Sequence, residues 1–240
     1  MQDKTEIDII IVSYAQSDEL KETTLNCVSS LMASEDPEKI KFNVVVIESE
    51  KSIAPYQYPD TVTVYPATPF GYHRYLNIGI EMTHAPYVCI CNNDLIFHPK
   101  WATEILKPLK QYIDIFSASP YCTIHHPRMG FKQNDGYKLG IRVRRELAGW
   151  CILFKREILK RTGKLDENYI FWCADNDYGN TLAALQMKHL LVTSSIVDHI
   201  ESKTLKKQSR ERELELTEGE VYYFNKKWLM RIGDGWVPLD

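Results

Sequence analysis

The sequence predicts an α/β protein: a mostly parallel central sheet flanked by helices. Three observations carry this. Short β-branched runs alternate with amphipathic stretches through the first two-thirds of the chain. Those runs are apolar at successive positions, the pattern of strands covered on both faces. The chain has 240 residues, 44% of them hydrophobic, enough for a substantial core.

Ile7 to Tyr14 reads as a buried strand. Ser17-Asp18-Glu19 opens a helix as a cap with early acids, and Leu20, Thr24, Cys27, Val28 and Leu31 fall on one face of it. Phe42 to Ile47 is the next strand, and Thr61 to Tyr65 is a third, stopped by Pro66. Residues 71–84 read as helix and Tyr87 to Cys91 as a fourth strand. Trp101 to Tyr112 reads as a helix interrupted or kinked near Pro108. Beyond about residue 115 the pattern changes. A strand at Ile115 to Tyr121 leads into a loop-rich stretch ending near Gly140, and Trp150 to Phe154 is a strand running into a short helix at 156–162. Asp175 to Lys188 is a helix with Tyr178, Leu182 and Leu185 on one face, and Leu190 to Ile200 is a last strand. A mixed charge run, Glu201 to Glu215, precedes an amphipathic stretch, Glu218 to Met230. With no internal repeat or low-complexity linker, the chain reads as a single domain over 1–240.

Lys and Arg number 29 against 32 Asp and Glu, a net charge of −3, which excludes a uniformly basic nucleic-acid binder but not a local basic patch. No apolar run is long enough to span a bilayer. No basic stretch followed by an apolar one opens the chain, so a cytoplasmic location is expected. The six cysteines are scattered and read as reduced, small hydrophobes. Cys89 and Cys91 point to one face of a strand, but no second pair completes a zinc site.

Parallel sheets bind ligands at the carboxyl ends of their strands. The ends to inspect are Ser13-Tyr14, Glu48-Ser49 and Asn92-Asn93-Asp94. The last offers hard oxygen ligands suited to Mg²⁺ or Mn²⁺, and it is also ordinary turn chemistry. Asp175-Asn176-Asp177 opens a helix behind Phe171 and Trp172. It reads either as a plain cap or as an ionised base at a helix N-terminus behind an aromatic wall. His199 ends the last strand, where it is a structural residue or a metal or phosphate contact. In Phe70 to Gly79, Arg74 is a candidate phosphate partner and the glycines permit close packing or approach to ligand. The stretch is neither G-x-G-x-x-G nor a P-loop.

Taken in order, these segments resemble the family-2 glycosyltransferases, whose fold is the Rossmann-like GT-A fold, over roughly residues 7–230. Ile9 to Tyr14 resembles the family's first strand, and Val44 to Ser49 its second, with Glu48 where the family usually has Asp. Asn77 and Gly79 match its Asn-x-Gly, and Asn92-Asn93-Asp94 resembles its metal-binding acidic motif. Gly149-Trp150 to Arg156 resembles the strand opening the acceptor half. Trp172 to Asp177 resembles its aromatic-x-x-Asp-x-Asp segment, with Ala174 in place of the usual Glu. His199 with Ser202 and Thr204 resembles the late His-x-x-Ser-x-Thr element, and Asn225 to Trp228 the closing helix.

The resemblance implies inverting transfer of a sugar from a nucleoside-diphosphate sugar, with Asp175 as general base. It implies donor contacts from Ser13, Tyr14, Glu48, Arg74, Asn77, Asn93 and Asp94. It places a Mn²⁺ or Mg²⁺ ion on Asp94 with His199, and acceptor contacts on Trp150, Trp172 and Asp177. The donor half would run to about residue 114 and the acceptor half from about 115 to the end. A surface polysaccharide or lipid-linked glycan is the expected acceptor; a hydroxylated base in DNA is the other, if the chain is phage-encoded. Two basic clusters motivate the DNA reading: Lys138, Arg142, Arg144 and Arg145, then Lys203, Lys206, Lys207, Arg210 and Arg212. Such patches also suit peripheral contact with an anionic membrane surface. Two competing readings are a sugar nucleotidyltransferase, which should carry a Gly-rich loop where this chain has Ser13 to Gln16, and a non-catalytic nucleotide-sugar or glycan binder.

Overall fold

The computed structural model describes residues 4–200 and 210–229; the side chains of 210–218 and 229 are outside the description. Ser202, Thr204 and the side chains of the second basic cluster therefore lie outside the described residues.

The chain opens with β1 (Thr5–Ser13), a run of branched aliphatic residues that fills both faces of the sheet. The helix α1 (Asp18–Met32) starts where Ser17 caps it, its side chain accepting from the Leu20 amide at 3.3 Å. Its buried face is Leu20, Thr24, Cys27, Val28 and Leu31, as the periodicity predicts. Next come β2 (Ile40–Glu48), β3 (Val62–Val64), α2 (Tyr72–Glu81) and β4 (Tyr87–Asn92). A three-residue strand, β5 (Leu95–Phe97), follows at once, too short to show in the sequence pattern. The helix α3 (Trp101–Gln111) runs unbroken through Pro108, where an interruption was expected. Pro108 lies close to the C-terminal end, and the Tyr112 amide still reaches its carbonyl at 2.9 Å, so little helix remains to be lost.

The second half contributes β6 (Ile115–Tyr121), the short edge strand β7 (Tyr137–Leu139) and β8 (Cys151–Lys155). It ends with α4 (Leu159–Thr162), α5 (Ala174–Ala184), the long β9 (Lys188–His199) and α6 (Arg210–Leu229). All nine strands share one sheet in the order β3-β2-β1-β4-β8-β6-β9-β5, with β7 on β9. The first four pair in parallel, and so do β6 and β9; β8, β5 and β7 pair antiparallel with their neighbours.

Period-two alternation assigns the faces. Ile7, Ile9 and Ile11 pack with α1 and α3, while Ile10 and Val12 pack with α2 and α5. Gly79 of α2 sits so close to Ile10 that an added Cβ would lie 2.4 Å from it. The two halves are also pinned by charge. Arg156, just after β8, meets the buried Asp8 of β1 at 2.6 Å and donates to the carbonyls of Ala85 and Ile80. All six cysteines are free and buried. Among the described residues, no helix is long and apolar enough to cross a membrane.

Candidate active site

The carboxyl ends of β1, β2 and β4 lie side by side because the register sets Ser13 against Glu48 and Val12 against Asn92. Glu48 is fully buried, and its carboxylate is engaged on both oxygens. Oε1 accepts from the Ala15 amide at 3.1 Å and the Glu50 amide at 2.7 Å; Oε2 accepts from the Tyr58 hydroxyl at 2.9 Å. It thereby fixes the loop leaving β1, where the Tyr14 hydroxyl accepts from the Gln16 side-chain Nε2. Ser13 Oγ lies 2.9 Å from Thr24 Oγ1, which also accepts from Asn93 Nδ2 at 2.9 Å. Thr24 therefore links the ends of β1 and β4, a role its place on a buried helix face did not advertise.

Asp94 and His199 meet through sheet pairing. In the antiparallel β5–β9 ladder Leu95 faces His199, and the Ile200 amide donates to the Asp94 carbonyl at 3.0 Å. This brings Asp94 Oδ1 within 3.2 Å of His199 Nε2. The approach is close but misaligned for a hydrogen bond: Oδ1 and both imidazole nitrogens are buried without a hydrogen-bond partner. Buried polar atoms are rarely left unsatisfied, so donors that converge this way suit a shared cation. Trp150 stacks on His199 with ring centres 5.2 Å apart and planes 5° from parallel, which fixes the imidazole's orientation.

Asp175 lies in the first turn of α5, where the helix dipole favours its ionised form. Its side chain presses on Gly149: an added Cβ there would stand 2.4 Å from Oδ2 and 2.6 Å from the Asp175 Cβ. Desolvation raises the Asp175 carboxyl above its usual value, while the Asn176 amide, at 2.9 Å, and the charge of Arg144 draw it back. Cys173, which precedes the helix, holds a left-handed backbone at φ 56°.

Tyr72 joins the end of β4 to the segment before α5. Its amide donates to the Ile170 carbonyl at 2.7 Å and its hydroxyl to Asn92 Oδ1 at 2.9 Å. Burial first, then the nearby Cys91, Asp175 and Asp94, raise its phenol far above the ordinary tyrosine range.

The sequence profile named Glycosyl transferase family 2 matches residues 8–163. The chain belongs to that family. This family-2 glycosyltransferase has the GT-A fold. Solved structures agree on the fold. The crystal structure of GalNAc-T7 with UDP, GalNAc and Mn²⁺ superposes with a TM-score of 0.64 at 13% identity, over 95% of this chain and 51% of that one. Mannosyltransferase PcManGT from Pyrobaculum calidifontis, in complex with GDP-Man and Mn²⁺, gives 0.62 at 16% identity, over 99% and 67%. S. aureus TarS 1-349 gives 0.58 at 12%, over 80% and 59%. The chain thus spans about half the length of the GalNAc-T7 chain. No curated protein sequence matches it.

Three of the residues expected to contact substrates are turned to other work in this glycosyltransferase. Arg74 pairs with Glu167 at 3.2 Å and donates to the Pro69 carbonyl. Asn77 brackets Leu165, accepting from its amide and donating to its carbonyl. Both hold the 165–167 segment beneath α2. Asp177 is buried and accepts from Trp228 Nε1 at 2.8 Å, with Lys227 Nζ at 2.7 Å. It binds α5 to α6. Asp175 and Asp177 are two residues apart on a helix, about 200° around its axis, so Asp175 turns to Gly149 and Asp177 to the closing helix. Trp172 is half-buried and meets Phe171 edge-on at 5.7 Å.

Proposed function

We propose that this chain is an inverting, metal-dependent glycosyltransferase that moves a sugar from a nucleoside-diphosphate sugar to an acceptor hydroxyl, with Asp175 as the general base. The Gly149–Trp150 step carries this reading: Asp175 presses on Gly149, while Trp150 stacks on His199, which lies 3.2 Å from Asp94. We read residues 1–240 as one domain, its donor half ending near 114, since a single sheet runs through both halves.

Asp94 and His199 fit a Mn²⁺ or Mg²⁺ ion, each bringing a buried donor that has no hydrogen-bond partner. Among the described residues no group of three or more His, Cys, Asp or Glu gathers, and Asp94 and His199 are the two that would hold the ion. Bound there, the ion supplies positive charge against a departing diphosphate. The GalNAc-T7 and PcManGT structures hold Mn²⁺ beside UDP or GDP-Man, which supports this choice.

Ser13, Tyr14, Glu48 and Asn93 form the nucleoside end of the donor site, with Glu48 acting through the backbone it holds. Arg74, Asn77 and Asp177 act through the 165–167 segment and α6. Trp150 and Trp172 flank the acceptor, a glycan hydroxyl. Asp175 takes the hydroxyl proton as the oxygen attacks the anomeric carbon opposite the diphosphate. The bond to the diphosphate breaks with its electron pair, and the anomeric configuration inverts.

Asp175→Asn is the decisive variant. It is expected to lower transfer by about a hundredfold or more while nucleoside-diphosphate binding, read by thermal shift with Mn²⁺, stays near wild type. Turnover close to wild type would remove the assignment. Asp94→Ala is expected to abolish the difference in donor affinity with and without Mn²⁺; an unchanged difference, measured by calorimetry, counts against the metal assignment.

A further inference from the structure

A tryptophan taken into a protein interior usually finds an acceptor for its indole N–H, because burial strips that donor of water. Two buried tryptophans here follow the rule. Trp101 Nε1 donates to Ser34 Oγ at 3.0 Å, and Trp228 Nε1 donates to Asp177 Oδ1 at 2.8 Å. Trp150 does not. It is only 8% exposed, yet its Nε1 is buried without a hydrogen-bond partner. The ring is held firmly around that donor. It stacks on His199, and it meets His125 and His126 with ring centres 5.4 and 5.7 Å away. Asp94 Oδ1 and both His199 nitrogens, the other orphaned atoms at this place, belong to the stacked ring and its neighbour. An indole nitrogen donates and cannot accept, so the partner it calls for is an oxygen with a free lone pair.

The position of Trp150 narrows which oxygen that is. Gly149, one residue earlier, is the seat of Asp175, while Trp150 itself stacks on His199, 3.2 Å from Asp94. Successive Cα atoms are about 3.8 Å apart, so a single peptide unit joins the seat of the base to the metal side. In an inverting transfer the acceptor oxygen arrives at the base and the diphosphate departs at the metal, with the transferred sugar between them. We propose that Trp150 Nε1 donates a hydrogen bond to a hydroxyl oxygen of that sugar, which makes Trp150 a specificity-determining residue for the donor. This rests on the reading of Asp175 as the base and of Asp94 with His199 as the metal pair. His199 covers one face of the indole, so the contact with the sugar is made through the N–H edge. A buried donor of this kind rejects a sugar that lacks the matching hydroxyl, because the N–H is then left unpaired.

The test uses the full chain with Mn²⁺ and compares UDP and GDP with UDP-glucose, UDP-galactose, UDP-N-acetylglucosamine and GDP-mannose by calorimetry. Wild type is expected to bind at least one of the nucleotide sugars. Trp150→Phe is expected to weaken that nucleotide sugar by about tenfold and to leave the free diphosphate within about twofold of wild type. Replacing Trp150 by 3-benzothienylalanine, in which sulfur stands where the N–H was, keeps the size and stacking of the ring and is expected to do the same. Without ligand, this analogue is expected to melt at or above the wild-type temperature, since it removes an unpaired buried donor. Wild-type affinity of the analogue for the nucleotide sugar overturns the proposal, and a lower melting temperature beside it would mean that the N–H is satisfied within the fold. Equal weakening of nucleotide sugar and free diphosphate also overturns it, because the N–H would then serve the leaving group. So does a wild type that binds the free diphosphates but none of the nucleotide sugars. A wild type that binds neither removes the donor reading itself, and the proposal with it.

Discussion

At the scale of single residues, the Gly149–Asp175 contact is the tightest constraint on the chemistry. A methyl group at position 149 would overlap the Asp175 Cβ and carboxylate, so the start of α5 must shift to admit it. Gly149→Ala is expected to lower transfer by about a hundredfold, as small misplacements of a catalytic group do, with a stability loss of about 1–3 kcal/mol from overpacking. Kinetics paired with a denaturant melt check this; unchanged turnover would mean that the base does not depend on its seat. Candidates at the ends of apolar runs were legible in the sequence: Ser13 and Glu48 end their strands and Asp94 lies two residues beyond β4, and residues at the ends of such runs come to the carboxyl edge of the sheet. Other features were not legible. His199 meets Asp94 only because β5 pairs with β9 across about a hundred residues of chain, and a three-residue strand leaves almost no pattern. Tyr72 was visible only as part of an unusual Gly- and aromatic-rich stretch, since nothing local tells which way its ring turns. The helical period alone separates Asp175 from Asp177, but it does not say which of them faces the cleft.

At the scale of elements, α6 clamps the segment that carries Asp175, the proposed base. Glu220 accepts from the Phe171 amide on both carboxylate oxygens, at 3.0 and 3.1 Å. The Tyr223 hydroxyl donates to Asp166 at 2.9 Å, and Lys227 bridges Asp166 at 2.8 Å and Asp177 at 2.7 Å. Phe224 and Trp228 cover Tyr169 and Cys173 from the same helix. Removing the ammonium leaves the buried Asp177 with Trp228 alone among these partners, and breaking such a pair costs about 3 kcal/mol. Lys227→Met is therefore expected to speed amide hydrogen exchange across 166–177 and to lower turnover, with nucleoside-diphosphate affinity unchanged. Exchange confined to α6 itself would show that the helix is only an appendage. The sequence shows α6 as an amphipathic stretch but not its target, because the acids that receive it lie on separate elements and read locally as a loop acid and a cap. The parallel half of the sheet was readable from its uniform apolar runs. The antiparallel insertion of β8 was not, since pairing direction leaves no mark on a strand covered on both faces.

At the scale of the whole molecule, three buried histidines held below their usual value, His73, His126 and His189, set how stability responds to acid. Burial lowers His126 and His189 from an ordinary value of 6.5 to about 4. The geometry explains why neither ring accepts a second proton. His126 Nδ1 accepts from the Cys122 amide at 2.7 Å while Nε2 donates to the Arg145 carbonyl. His189 Nδ1 takes the Ser117 hydroxyl proton at 2.8 Å, Ser117 in turn accepting from Tyr178 at 2.9 Å, and Nε2 donates to the Glu146 carbonyl. Protonation would set a donor against the Cys122 amide at His126, and at His189 it would force the Ser117 hydroxyl to turn from donor to acceptor. The unfolded chain binds protons as pH falls below about 6.5 and the folded one does not, so stability is lost between roughly pH 6.5 and 4, by about 3 kcal/mol per histidine at most. Asp166 takes over below that. Its carboxyl is lowered from 3.8 to about 2, burial opposing and the Lys227 and Asn168 bonds prevailing, so its contribution fades from about pH 4 to 2. Asp175 and Glu220, both raised by burial, act in the opposite sense and offset part of the loss as acid protonates them. Chemical denaturation across this range should therefore show a first decline centred above pH 4. His189→Gln keeps a donor and an acceptor but cannot titrate, so it is expected to flatten that first decline whatever its stability at neutral pH. A slope between pH 6.5 and 4 equal to wild type would mean that His189 is protonated in the folded protein, and the Tyr178–Ser117–His189 chain would then have to run in the opposite direction.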